Sequence, residues 1–353
     1  MLKVISLYVI VNTAIISTEN IVMINNNSRS LFNIVTFDVS TQSLSFEYFD
    51  VNNYQKRENA AYNYGLDAND INIDSNVYAT TFTGDSLYTK PYYPNFETIN
   101  ERMSAGIVGS DNRTIVSNPQ NLPYCLTGYI NAVYYVEDSG ISFPLQQSGT
   151  GFIQGPNNVV TAAHVIYKDI TSEEYGYEDN IENPRFPDEI IFTLYKNTSM
   201  VQELDVSKVN ISMSYWADLD ENNDWAVFEL TENIGSSIGW YGKVSNWYEN
   251  NAPVKTYGYP VDNEPRMISC LGSLIGTTEY IYRTNLDLTS GQSGSPVLMT
   301  HSDNKDYVCG IASSYNHILG VTTYTNAIRY DNFLFHFLNS YITSSGNVIF
   351  PEC

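Results

Sequence analysis

The stretch FIQGPNNVVT, residues 152 to 161, shows the pattern that most limits this chain: an apolar pair, a Gly-Pro-Asn-Asn turn, then a β-branched run. Val, Ile, Thr and the aromatics fit a pleated, half-buried surface, whereas Gly, Pro and Asn punctuate it with tight turns. Runs this short read as strands joined by turns, and the same alternation recurs along the 353 residues, with tyrosine high at 29. The pattern predicts an all-β fold. A 43% hydrophobic content is enough for a sizeable core, and the length allows one or two domains. The far end departs from the pattern. RYDNFLFHFLNSYI places Phe333, Leu334, Phe337, Leu338, Tyr341 and Ile342 at helical spacing and predicts an amphipathic C-terminal helix, with His336 off its apolar stripe.

Within this framework, DLTSGQSGSPV at 287 to 297 sets Ser293 and Ser295 two positions apart among glycines. A serine hydroxyl is a weak nucleophile until a general base takes its proton and a third group orients that base. The chain has four histidines. His301 and His317 lie among loop formers and His336 on the helix, but His164 follows a strand-turn-strand unit and the small Ala162 and Ala163. For the orienting acid, NNDWAVFELTE offers Asp224 at the mouth of an apolar strand, a setting that fixes an imidazole tautomer. The spacing of Asp218, Asp220, Asn222 and Asp224 resembles a calcium loop but lacks the required Gly and distal Glu, so no metal site is expected. His164, Asp224 and Ser293 then follow one another at intervals of 60 and 69 residues, the chain order of chymotrypsin-like proteases.

The segments SGTGFIQGPNNVVTAAHV, NDWAVFEL, KTYGYPVD and SGQSGSPV carry a wider likeness, and GIVGSDNRTIVSNPQNLPY at 106 to 124 is similar to a mature amino terminus. On these residues the chain resembles chymotrypsin-fold serine proteases, and among them the bacterial glutamyl endopeptidase group. The resemblance implies two six-stranded β-barrels with a C-terminal helix. It also implies a secreted, monomeric serine endopeptidase without cofactors, acting on protein or peptide substrates through an acyl-enzyme. Ser293 would be the nucleophile, His164 the base and Asp224 its orienting acid. The backbone N–H groups of Gly291 and Ser293 would form the oxyanion hole, while Thr289, Ala312 and Ser313 would line the pocket for the residue before the scissile bond. The group carries a histidine in a Gly-Ile-His strand of that pocket, and CGIASSYNH puts Ala312 there. Asp287 stands six residues before Ser293, the spacing of the pocket-floor aspartate in trypsin-type enzymes, or else it matches the acid that ends the preceding strand in the glutamyl group. A preference for acidic residues is therefore accompanied by two alternatives: Lys/Arg specificity, or an inactive protease-fold binding protein.

The net charge of −22 argues against nucleic acid as a partner, since phosphate binding is driven by Lys and Arg. MLKVISLYVIVNTAIIS, residues 1 to 17, reads as a signal peptide. Its apolar run from Val4 to Val11 is too short for the ~20 residues of a membrane span, so no membrane association is expected. The resemblance implies a prosegment over residues 18 to 105 and the protease domain over 106 to 353, the alternative for the former being an accessory domain that stays attached. Cys125, Cys270, Cys309 and Cys353 show no CxxC spacing, and in a secreted protein they predict two disulfides in one of three pairings.

Overall fold

The computed structural model describes residues 33–50, 106–138, 141–169, 184–263, 266–300, 306–318 and 321–344, together with four two-residue strands before residue 99. Most of the segment expected to be a signal peptide and most of the one expected to be a prosegment lie outside the described residues, as do His301 and Cys353.

A short hairpin comes first, β1 (Ile34–Asp38) and β2 (Ser43–Glu47). The first barrel follows: β3 (Thr127–Asp138), β4 (Ile141–Ile153), β5 (Asn158–Thr161), β6 (Glu189–Leu194), β7 (Gln202–Ser212) and β8 (Ala226–Leu230). Its strands run β6-β3-β4-β5-β8-β7, all antiparallel, and pairing of β6 with β7 closes the ring. The second barrel comprises β9 (Pro253–Gly258), β10 (Ile268–Thr277), β11 (Ile281–Thr284), β12 (Pro296–Thr300), β13 (Asp306–Ile318) and β14 (Val321–Arg329). Its order is β9-β12-β13-β14-β11-β10, closed by β9 against β10. The expected pair of six-stranded barrels is thus present. Closure removes the open edges through which sheets associate.

Each barrel is filled by its inward-facing residues. Ile130, Val159, Phe192, Val209, Ile211 and Phe228 are buried on one face of the first sheet; Leu274, Tyr282, Val297, Met299 and Tyr307 are buried in the second. Between β7 and β8 lies a short helix, α1 (Met213–Asp218), capped by the Ser212 hydroxyl, which accepts from Ser214 N–H. The C-terminal helix is α2 (Asn332–Ser344). It turns back onto the first barrel: Phe333 and Phe337 lie 6.2 and 5.7 Å from the Trp225 ring, and Leu334 and Leu338 join the first core. His336 departs from expectation, being 1% exposed. Its flank of the helix is covered as well, where Phe335 is buried beneath the Lys243 ammonium at 5.8 Å.

The hairpin, although it precedes residue 106, is built into the first barrel. Beyond Asp205, β7 parts from β6, and β1 takes that edge with Lys208 opposite Asp38 and Ser212 opposite Ile34. Ile34, Val35 and Phe37 belong to the first core.

Disulfides are not found among the described residues: Cys125, Cys270 and Cys309 are free, buried thiols. Cys125 sits in the first core and the other two in the second. Cys270 and Cys309 are engaged separately, Cys270 Sγ with Asn112 Oδ1 at 2.9 Å and Cys309 Sγ with the Val297 carbonyl at 3.4 Å. Burial pushes the Cys125 and Cys309 thiols up to about 12 and raises Cys270 too, so all three stay protonated at neutral pH.

Candidate active site

Strand β5 ends at Thr161, and a single 3-10 turn, Ala163–Val165, carries His164. Sixty residues later another 3-10 turn, Glu221–Asn223, delivers Asp224. That turn is self-capped: Asp220 accepts from Asn222 N–H at 3.1 Å and from the Asn223 amide at 2.8 Å. The acid-rich spacing around it is therefore turn chemistry. Among the described residues no group of three His, Cys, Asp or Glu side chains is placed to hold a metal.

His164 meets Asp224 twice. Its backbone N–H donates to Oδ1 at 2.8 Å, and its ring Nδ1 lies 2.7 Å from Oδ2. A carboxylate in that position selects the Nδ1–H tautomer and leaves Nε2 as the acceptor. Asp224 is 3% exposed, while the imidazole keeps 32% of its surface in solvent. Burial would pull the imidazole pKa down, but the charge and hydrogen bond of Asp224 together outweigh it and leave His164 above its usual value. For Asp224, burial raises the pKa and is outweighed by His164 and by the Ser313 hydroxyl, so it lies below the usual carboxylate value.

The second barrel supplies the other half. Ser313 on β13 donates its hydroxyl to Asp224 Oδ2 at 2.5 Å, and its carbonyl accepts from Ser293 Oγ at 3.4 Å. A continuous polar line thus joins Ser293, Ser313, Asp224 and His164 across the seam between the barrels. Ser313, expected only to line a pocket, contributes its hydroxyl to the acid.

The loop that carries Ser293 is fixed by its neighbours. Gly291 and Gly294 have φ of +92° and +87°, which L side chains rarely adopt. A Cβ on Gly294 would lie 2.1 Å from both the Thr150 carbonyl and Thr161 Oγ1, so the loop packs directly against β4 and β5. Thr150, which sequence reasoning did not single out, is the tie. Its N–H donates to the Ser293 carbonyl at 2.9 Å, its hydroxyl donates to the Gly291 carbonyl at 2.8 Å, and that hydroxyl accepts from Tyr259 N–H at 2.9 Å. Its position between two glycines in SGTGF was the only local signal. Val261 N–H holds the Ser290 carbonyl at 2.9 Å, and a planar trans peptide turns the Gly291 N–H to the opposite side.

Asp287 is fully buried, and both its oxygens are spent on backbone: Oδ1 accepts from Val108 N–H at 2.7 Å and Oδ2 from Asn112 N–H at 2.8 Å. It anchors the segment after Gly106. Gly106 N–H in turn donates to Thr322 Oγ1 at 3.0 Å, and the Gly106 carbonyl accepts from Leu288 N–H at 3.1 Å. Thr289 is tied in the same direction, accepting from the buried Arg113 guanidinium at 2.7 Å, which itself pairs with Asp111 at 2.8 Å and Asp262 at 2.9 Å. Ala312 is buried, its carbonyl accepting from Gly294 N–H at 2.7 Å and its N–H donating to the Ser295 carbonyl at 2.9 Å. His317 stands opposite Thr322 at the end of β13.

Residues 149–311 match the family described as trypsin-like peptidase domain. The chain is 27% identical over 246 residues to a glutamyl endopeptidase of Bacillus licheniformis, spanning 68% of this chain and 70% of that one. It is 26% identical over 313 residues to an extracellular metalloprotease of Bacillus subtilis, spanning 86% and 90% respectively. A solved Glu endopeptidase in complex with MPD shares the fold, with a TM-score of 0.53 and 19% identity over 67% of this chain and 99% of that one. The chain thus has the chymotrypsin fold, its residues 149–311 match the trypsin-like peptidase domain family, and it resembles the glutamyl endopeptidase group of proteases.

Proposed function

We propose that the chain is a secreted serine endopeptidase in which Ser293 attacks the scissile carbonyl and forms an acyl-enzyme. His164 takes the Ser293 proton on Nε2 and gives it to the leaving amine, and Asp224 compensates the imidazolium that forms between those steps. The N–H groups of Gly291 and Ser293 receive the oxyanion. The observation that carries the reading is the double engagement of His164 by a buried Asp224, itself bonded to Ser313 beside Ser293.

We propose further that acidic residues are preferred before the scissile bond, with modest discrimination. A lysine or arginine needs a free carboxylate in the pocket, and both Asp287 oxygens are already taken by backbone donors. Ala312 brings no cation, so the positive charge would come from His317 or from a free amine at Gly106, created if the chain is cut there, with Thr289 contributing at most a hydrogen bond. Residues before Gly106 act in this reading as a prosegment.

Labelling with a fluorophosphonate, followed by peptide mapping, tests the nucleophile. The label is expected on Ser293 alone. Ser293→Ala should lower turnover by about 10⁶-fold, while Ser295→Ala loses far less. Failure to label a folded chain, or labelling elsewhere, overturns the assignment.

A further inference from the structure

We infer that the β1–β2 hairpin is not discarded when the chain is cut ahead of Gly106. It stays as a non-covalent strand pair of the first barrel and buttresses the loop that carries Asp224. This inference rests on the activation step proposed above, but its physical basis lies elsewhere.

Strand β1 pairs with β7 over five residues, from Ile34 opposite Ser212 to Asp38 opposite Lys208. At both ends the pairing extends into the flanking chain: Met213 N–H donates to the Asn33 carbonyl at 3.1 Å and Val39 N–H to the Ser207 carbonyl at 3.0 Å. Inside it, the buried Thr36 hydroxyl donates to Asn210 Oδ1 at 2.7 Å. Three aromatic side chains of the hairpin segment then spread over separate parts of the molecule. Phe37 stacks on Phe186 at 4.4 Å, Phe46 meets Trp216 of α1 edge-on at 5.3 Å, and Phe49 meets Phe333 and Phe337 of α2 at 5.8 and 5.4 Å.

These contacts converge on the acid from two sides. Met213 and Trp216 belong to α1, which leads into the Asp224 turn, and Phe333 and Phe337 cover Trp225, the residue after Asp224. Removing the hairpin would strip the backbone edge of β7 beyond Asp205 and uncover Phe186 and Trp216 together. Unpaired strand edge and contiguous apolar surface both favour recapture of the segment that covered them.

The test uses the full chain as Ser293→Ala, so that it does not process itself, with a specific protease site inserted directly before Gly106. After nicking, native and denaturing mass measurements and size exclusion follow the amino-terminal fragment. It is expected to co-elute with residues 106–353, to separate only in denaturant, and to keep the Met213 amide protected from hydrogen exchange. Phe37→Ala in the same nicked protein should release the fragment on the order of 100-fold faster. Loss of the fragment in native buffer, unfolding on nicking, or release that is indifferent to Phe37→Ala would each overturn the inference. None of these readouts depends on catalysis. Amino-terminal sequencing of active wild-type enzyme separately tests the cut itself, since a chain that is active without a new terminus near Gly106 ends the activation reading alone.

Discussion

Asp224 accepts from the His164 backbone, from its ring and from Ser313. A general base must be neutral to act, so kcat/KM should rise with pH through the His164 pKa, which lies above 6.5. Asp224→Asn removes the charge that raises this pKa and leaves the lowering effect of burial. The acidic limb should therefore move to lower pH, while kcat falls by about 10⁴-fold as the tautomer is lost; a pH–rate profile of both proteins checks the sign. At Asp287 the expectation is different. Asp287→Ala leaves Val108 and Asn112 N–H groups without acceptors at a cost of about 1–3 kcal/mol each if they stay dry. It should lower Tm without converting the enzyme to or from lysine cleavage, and kcat/KM on matched Glu, Lys and Phe substrates measures this. The contrast shows what could be read from sequence. His164, Asp224 and Ser293 each sit in a local strand or turn pattern that marks the residue. The role of Asp287 depends on a segment some 175 residues away, so spacing alone left it between a pocket floor and a strand-ending acid and could not show the anchor that the fold has made of it.

Among the elements, the nucleophile loop depends on β4 as much as on its own barrel. Thr150→Val keeps the shape but removes the hydroxyl shared by Gly291 and Tyr259, and it should cost about 1–3 kcal/mol for each backbone group left unsatisfied. Because that hydroxyl fixes the loop carrying Ser293, kcat should fall more than KM rises. Gly294→Ala is expected to be worse, at about 4 kcal/mol or more, since backbone strain and a 2.1 Å approach to β4 and β5 act together; urea melts of the two variants rank them. The strands and the C-terminal helix were legible from period and turn residues. The burial of His336 was not, because a helical stripe shows which face seeks the core but cannot show that Lys243 and Phe335 meet on a second face. In β1 four consecutive residues are buried, because its hairpin partner β2 is local but its other neighbour, β7, and the Phe186 side chain that stacks on Phe37 come from remote segments.

For the molecule as a whole, the all-β class and paired barrels follow from short apolar runs between turn formers, and the fold bears this out. Cysteine number suggested two disulfides, but parity carries no distances, and Cys125 lies in a different core from Cys270 and Cys309. Under non-reducing conditions at least three thiols should label in denaturant and none of those three in the native state. Reductant should leave Tm unchanged, whereas a fall would reveal a bridge. The path of the chain has a consequence for its manufacture. Trp225, beside the acid, is covered by Phe333 and Phe337 from the last helix. Synthesis proceeds from the amino terminus, so the acid's surroundings are completed only when the final helix leaves the ribosome. A copy interrupted before Asn332 lacks that cover over Trp225, so the setting of Asp224 depends on residues more than a hundred positions downstream of it.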